Sequence, residues 1–331
     1  MVKNSMTGKR IDRGAPVIAA LLACALQSAC SVGVYTQNFQ RDLTVDGPVR
    51  LEVATGSGGI SITRGGSGHV SIRGEVRRSG IFTMSDEKRV KETAANPPIV
   101  QVGNVIRLGK DLPEGSRGLA ISYVIETPED TRVEAAASSG KIEIRNIHGP
   151  AKLASSSGKI EAENIGDDVT VTSGSGDIHI SHVAGRVSFT AGSGGATLED
   201  IKEDIRGSAG SGGLQIERPG GRVSIETRSG GIIVRDATAD LRATAGSGGL
   251  DISGSPSAHT YWELASRSGG IEISVPSSAS FRLHAKTGSG AVSTALPIAI
   301  EEQTRKELRA NIGSGEARVE ANTGSGSIVI R

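Results

Sequence analysis

The sequence predicts an all-β fold, a single-stranded β-solenoid with about 18 residues per coil. Three observations carry that prediction. A Ser-Gly step recurs with its glycine at Gly140, Gly158, Gly176, Gly194, Gly212, Gly230 and Gly248, six successive intervals of 18 residues. Apolar and polar residues alternate on both sides of the step. Aromatic residues make up only 2% of the 331-residue chain while glycine fills 46 positions, so the core must be thin and built from small aliphatic side chains.

In chain order, the N-terminus reads as a targeting segment. Lys3, Lys9, Arg10 and Arg13 precede an apolar run at residues 15–26. The run is too short to span a bilayer and suits the hydrophobic region of a signal peptide. It leads into "QSACS", with Ser28 and Ala29 before Cys30. This placement resembles a bacterial lipobox, whose cysteine takes lipid and becomes the mature N-terminus; here Gln27 stands where that motif usually has Leu. "LLAC" ending at Cys24 is a second candidate, inside the apolar run, and ordinary cleavage after an A-x-A-like site is a third. The expectation is a signal peptide over residues 1–30, lipidation at Cys30, a tether over 31–44 and a solenoid domain over 45–331. By resemblance to bacterial lipoproteins, Ser31 implies delivery to the outer membrane, facing the periplasm or the cell surface. Both cysteines lie in this segment, so the rest of the chain has no cysteine chemistry.

Residues 49–65, "VRLEVATGSGGISITRG", read as one coil. "SDEKRVKETAAN" at 85–96 interrupts the β pattern as a helix-like insertion, with Ser85 as N-cap and Pro97-Pro98 as its stop. Residues 99–109 and 119–128 return to strand patterns.

Beyond residue 131 the columns are explicit. Two positions past each marker glycine stand Ile142, Ile160, Ile178, Ala196, Leu214, Ile232 and Leu250, with a second apolar column two residues on. Between them lies a mostly polar column, Glu143, Glu161, His179, Thr197, Gln215. That is a strand with one buried face. A second strand follows in each unit, with columns Ala151, Val169, Val187, Ile205, Val223, Leu241 and, two residues later, Leu153 through Ala243. Stacking each unit on the last gives roughly eleven coils and a rod on the order of 50 Å. The alternative is an up-and-down sheet or propeller of hairpin repeats. In the solenoid reading the glycine supplies positive φ at a corner, and the marker serine points inward to bond a neighbouring coil. Later markers follow at Gly269, Gly290, Gly315 and Gly326, and an early one at Gly58. Residues 301–310, "EEQTRKELRA", read as a loop or short helix.

Three segments carry a family resemblance: "ISYVIETPEDTRVEAAASSGKIEIRNIHGPAKLASSSGKIEAENI", the tail "ANIGSGEARVEANTGSGSIVIR", and "LEVATGSGGISI". Together they span roughly residues 45–331. The pattern resembles a bacterial family of β-strand-repeat proteins of unknown function labelled "putative adhesin". The resemblance implies an extracytoplasmic solenoid-like domain and supplies no catalytic residues. The insertion at 85–96 has no counterpart in it.

The chemistry argues mostly by exclusion. Thirty-seven basic against 36 acidic residues give a net charge of +1, with no surplus for nucleic acid. Calcium-binding rolls share the 18-residue coil, but of the residues after the marker glycines in residues 140–270 only Asp177 is a carboxylate. No phosphate-binding loop opens onto a helix. His179 and His182 lack a supporting ligand column. Glu143 and Glu161 are one coil apart and form the best acid–base pair for a polysaccharide-cleaving enzyme, but Lys141 and Lys159 beside them favour salt bridging. Tyr261 continues the inward Leu153–Ala243 column, which turns Trp262 outward as a candidate surface contact. The expectation is therefore a non-catalytic envelope protein, an adhesin or binding surface, with no cofactor, metal or catalytic residue. Its partner would be an envelope polysaccharide or protein, with membrane attachment through the lipid anchor alone. A polysaccharide-acting enzyme and an envelope-stress or signalling accessory lipoprotein are the competing readings.

Overall fold

The computed structural model describes residues 32–81, 84–110, 118–296 and 299–331. The segment expected to be a signal peptide, with Cys24 and Cys30, lies outside the described residues. The N-terminal part contains β1 (Val32–Thr44), β2 (Arg50–Thr55), β3 (Ile60–Arg64), β4 (His69–Ile81), α1 (Met84–Ala95), β5 (Ile99–Val102), β6 (Val105–Leu108) and β7 (Ala120–Thr127). Eight coils of two strands follow: β8 (Arg132–Ala137) with β9 (Ile142–Ile147), β10 (Ala151–Ser155) with β11 (Ile160–Ile165), β12 (Val169–Ser173) with β13 (Ile178–Val183), and β14 (Val187–Ala191) with β15 (Ala196–Ile201). Then come β16 (Ile205–Ala209) with β17 (Leu214–Glu217), β18 (Val223–Thr227) with β19 (Ile232–Ala237), β20 (Leu241–Ala245) with β21 (Leu250–Gly254), and β22 (Tyr261–Ser266) with β23 (Ile271–Ser274). The C-terminal part holds β24 (Phe281–Thr287), β25 (Val292–Thr294), β26 (Ala299–Gln303), β27 (Glu307–Ile312), β28 (Ala317–Thr323) and β29 (Ile328–Ile330).

These strands form two long sheets back to back. Sheet one has 14 strands and carries the odd-numbered strand of each coil; sheet two has 15 and carries the even-numbered one. Within the stack, β11 pairs in parallel with β9 and β13 and not with β10, matching Ile160 to Ile142 and Ile178 without slip. Pairing at an 18-residue offset makes the fold a β-solenoid and excludes hairpin repeats. Zero slip also explains the period: a shift of one residue would turn every apolar side chain out of the core. The inward columns Ile142–Ile160–Ile178 and Val169–Val187–Ile205 are almost fully buried, each side chain contributing roughly 1.5–3 kcal/mol. Fourteen strands at about 4.8 Å give a rod of about 60 Å.

At both ends the stacking departs from chain order. The β2–β3 coil lies between β6–β7 and β8–β9, and the β28–β29 coil lies between β22–β23 and β24–β25. The ends are completed by antiparallel strands, β1 and β4 at one and β26 and β27 at the other. The segment expected to be a tether is instead β1, paired along its length with β4. Helix α1 spans the residues read as helix-like and buries Val90 and Ala94. Residues 301–310 are neither loop nor helix but most of the β26–β27 hairpin, because Leu308, Ala310 and Ile312 alternate onto the core.

The marker glycines have a different purpose from the one their position implied. None of Gly140 through Gly248 has positive φ. A Cβ on Gly158 would lie 2.0 Å from the carbonyl oxygen of Gly140, and one on Gly176 would lie 2.1 Å from that of Gly158. The column runs unbroken to Gly269, Gly326 and Gly290, in stacking order. Close approach of one coil to the next therefore demands glycine. Gly315 is no member of this column; it sits at φ 72° in the turn after β27. The left-handed positions form a separate column at the other corner, Asn146, Asn164, His182, Asp200, Arg218 and Asp236, mostly the residue types that tolerate that conformation. The marker serines point outward. The inward hydroxyls come two residues earlier, at the end of the strand, as where Ser266 Oγ donates to Gly248 O at 2.9 Å and Thr323 Oγ1 to Gly269 O at 2.7 Å.

Candidate functional site

The solenoid offers two outer faces, and they differ in how their charges are arranged. On sheet one the zero-slip register stacks Glu143, Glu161, His179, Thr197 and Gln215 in one outward, half-buried column. Lys141 Nζ donates to Glu161 Oε2 at 2.7 Å and Lys159 Nζ lies 2.8 Å from Glu161 Oε1. Arg145 reaches Glu143 at 2.7 Å and Glu163 at 3.1 Å. Hydrogen bonds from the two lysines hold the Glu161 carboxyl down at about 2. A general acid needs the opposite shift, so this pair is tied up in salt bridges. Farther along, Arg235 pairs with Asp251. His179 borders an open groove of about 520 Å³ floored by Gly195, Gly213 and Gly231. Asp177, the one calcium-like carboxylate, accepts the Gly195 amide at 2.9 Å instead.

His182 is not beside His179 in a shared site. It occupies a left-handed corner, its Nε2 3.5 Å from Asp200 Oδ2. Among the described residues, no cluster of three or more His, Cys, Asp or Glu side chains could hold a metal. Nor is any described helix long and apolar enough to cross a membrane.

On sheet two, the corner before each strand carries Asp168, Arg186, Asp204, Arg222, Asp240 in alternation. Each aspartate accepts the backbone amide of the next coil: Arg186 N to Asp168 at 2.8 Å, Arg222 N to Asp204 at 3.0 Å and Tyr261 N to Asp240 at 2.9 Å. Alternating sign avoids stacking like charges one strand spacing apart. The column is readable in the sequence eight residues before each marker glycine. At the other end of these strands runs an open groove of about 1020 Å³ over five coils, lined by Thr190, Ser208, Thr244, Glu226 and the marker serines Ser193, Ser211, Ser229 and Ser247.

Trp262 is not a surface contact. Its side chain is fully buried, and its Nε1 donates to Ala239 O at 2.9 Å. Trp262 pairs with Leu241 and Leu264 with Ala243. The three extra residues of this unit are taken up in the loop before β22, which moves the register by three against a count from the preceding glycine; an odd shift exchanges inward and outward places. Counting back seven from Gly269 places Trp262 in the inward column, as seven back from Gly248 places Leu241. Tyr261 takes the outward place. Its hydroxyl donates to Glu320 Oε2 at 2.5 Å and Arg318 lies over its ring at 5.6 Å. Partial burial and then the Glu320 carboxylate push this phenol up to about 12.

With this architecture established, a family model described as Toastrack DUF4097 matches residues 166–331, half of the chain. The chain belongs to the Toastrack family. DUF4097 is a domain of unknown function, so membership fixes the repeat fold and assigns no activity. The Toastrack match covers the regular coils from β12 onward together with the interleaved C-terminal end. No curated protein matches the chain. A solved structure from Clostridium sporogenes, described as a "putative cell adhesion protein", aligns over 89% of this chain and 99% of its own at 12% identity and a TM-score of 0.19. At that score the similarity bears on neither fold nor function.

Proposed function

We propose that this Toastrack chain is a non-catalytic protein of the bacterial envelope, whose solenoid presents its outer faces as a binding surface to envelope polysaccharide or protein. The observation that carries this reading is the fixed register: every coil sets its outward residues at one strand spacing from the next, giving long ordered polar faces. The most enzyme-like pair, Glu143 and Glu161, is held in ion pairs with Lys141, Lys159 and Arg145, which argues against the polysaccharide-cleaving alternative. Attachment through lipid on Cys30 is part of the proposal. Since β1 begins at Val32, such an anchor would seat the N-terminal end of the rod against the bilayer without a tether.

The reading is tested on intact cells. Protease accessibility combined with pull-down of envelope components should show an exposed protein that captures a partner and turns over no glycan in a panel. Hydrolysis that disappears in Glu143→Gln/Glu161→Gln would overturn it. For the anchor, Cys30→Ala or globomycin should shift processing and membrane fractionation; unchanged fractionation would remove that part.

A further inference from the structure

The cations of the two faces are treated differently. On sheet one, Lys141, Arg145, Lys159 and Arg235 all pair with carboxylates. On sheet two, between β8 and the corner after β22, Arg132, Lys152, Arg206, Arg228 and Arg267 have no carboxylate within 4.0 Å among the described residues, and all five are exposed. Glu226 is the one carboxylate on the strands of that stretch without an ion-pair partner among the described residues. The other two strand acids are engaged, Glu134 with Arg50 and Glu263 with Arg242; at the corners Asp168 pairs with Arg186, Asp240 with Arg222, and Asp204 accepts the Arg222 amide. This stretch of sheet two thus sets five cations without an ion pair against one such carboxylate on its strands.

These cations are spread along the face. They fall in or beside β8, β10, β16, β18 and β22, over about 34 Å at one strand spacing per coil. Arg228 and Arg267 stand on the wall of the 1020 Å³ groove, two coils apart, with Thr190, Ser208 and Thr244 and one unpaired carboxylate, Glu226, on the same wall. The face is polar between the charges, with hydroxyls able to donate and accept.

We propose that sheet two binds an acidic polysaccharide lying along the rod, its carboxylates meeting Arg206, Arg228 and Arg267 and its hydroxyls meeting the Ser and Thr rows. This rests on the binding-surface reading above and names its ligand class. Guanidinium groups suit carboxylates by their forked donor geometry. The same charge could attract nucleic acid or an anionic membrane, but the face lacks what each requires. Tyr261 is its only exposed aromatic on these strands, and it is engaged with Glu320 and Arg318, so there is no platform for base stacking. The strands from β8 to β22 expose no large aliphatic side chain to insert into lipid.

The test uses the full chain and polygalacturonate as probe, with its fully methyl-esterified form, single-stranded poly(dT) and phosphatidylglycerol vesicles as comparisons. Affinity electrophoresis or calorimetry should show binding to polygalacturonate that weakens as salt rises, and loss of about tenfold or more in Arg206→Ser/Arg228→Ser/Arg267→Ser. The equally charge-reduced Arg145→Ser/Lys159→Ser/Arg235→Ser should bind as the parent does. Circular dichroism confirms that both variants fold. Equal loss in both variants, no binding to polygalacturonate, or tighter binding to poly(dT) or vesicles would overturn the inference. Capture of a neutral glycan or envelope protein without polygalacturonate binding would overturn it while the proposed function stands; absence of any envelope partner would remove both.

Discussion

A Cβ placed on Gly212 would lie 2.0 Å from the carbonyl oxygen of Gly194, whereas one on Gly213 would meet nothing nearer than Gly231 O at 3.7 Å. Adjacent residues in one corner thus differ completely in what they tolerate. Neither has positive φ, so contact alone separates them. Gly212→Ala should destabilise the fold by about 1–3 kcal/mol through forced separation of two coils, and Gly213→Ala should stay within about 0.5 kcal/mol. Urea unfolding followed by circular dichroism measures both. Equal effects would mean that the column is kept for backbone conformation and not for coil spacing.

Trp262 is the only tryptophan in the chain, so its fluorescence reports its environment directly. Full burial beside Leu241, with the indole N–H on Ala239 O, predicts blue-shifted emission and poor quenching by iodide. Trp262→Ala should cost about 3–5 kcal/mol. Trp262→Phe should cost less, keeping most of the packing but leaving the Ala239 carbonyl without its donor. Red-shifted, readily quenched emission in the native protein would place the side chain outside.

Much of this fold was legible because a stacked coil writes its own register into the sequence. Residues 18 apart share one environment, so Ile142, Ile160 and Ile178 announce a buried column without any structure. Insertions broke the reading. The extra residues before β22 are absorbed in a loop while the strand stays matched, and only a count back from Gly269 keeps Trp262 in place. Ser314-Gly315 looks like a coil marker, yet it is a turn that carries the chain back into the stack. Nothing local to β2–β3 or β28–β29 says that each is sandwiched between coils distant in sequence, since strand partners at an end depend on what else needs covering. Of the candidate site, the Glu143–Glu161 salt bridging was readable from Lys141 and Lys159. The open cations of sheet two were not, because an unpaired charge is defined by neighbours in other coils.

The left-handed corner column offers a third measurement. Asp236 sits at φ 58° on the surface. A β-branched side chain is poorly accommodated there, so Asp236→Val should destabilise by roughly 1–2 kcal/mol. Asp236→Gly should be neutral or slightly stabilising, because glycine adopts that conformation without a Cβ penalty. The pair is read by thermal or urea unfolding. Equal losses in both would point to the aspartate side chain, not the backbone, as the stabilising element.

Glu161 predicts a pH dependence with a definite sign. Lys141 and Lys159 hold its carboxyl at about 2 in the folded protein, against an ordinary 4.5. A carboxyl depressed on folding stabilises the folded state fully above the unfolded value, and that contribution fades as pH falls from about 4.5 towards about 2. Unfolding midpoints measured across this window should therefore fall with acid more steeply in the parent than in Glu161→Gln, which has no proton to take up there. The two proteins should converge near pH 2 and differ most above 4.5. Direct titration of the side-chain carboxyl by NMR provides the independent check. A midpoint raised above 4.5 would mean that the lysines do not clamp it, and would restore Glu161 as a candidate acid.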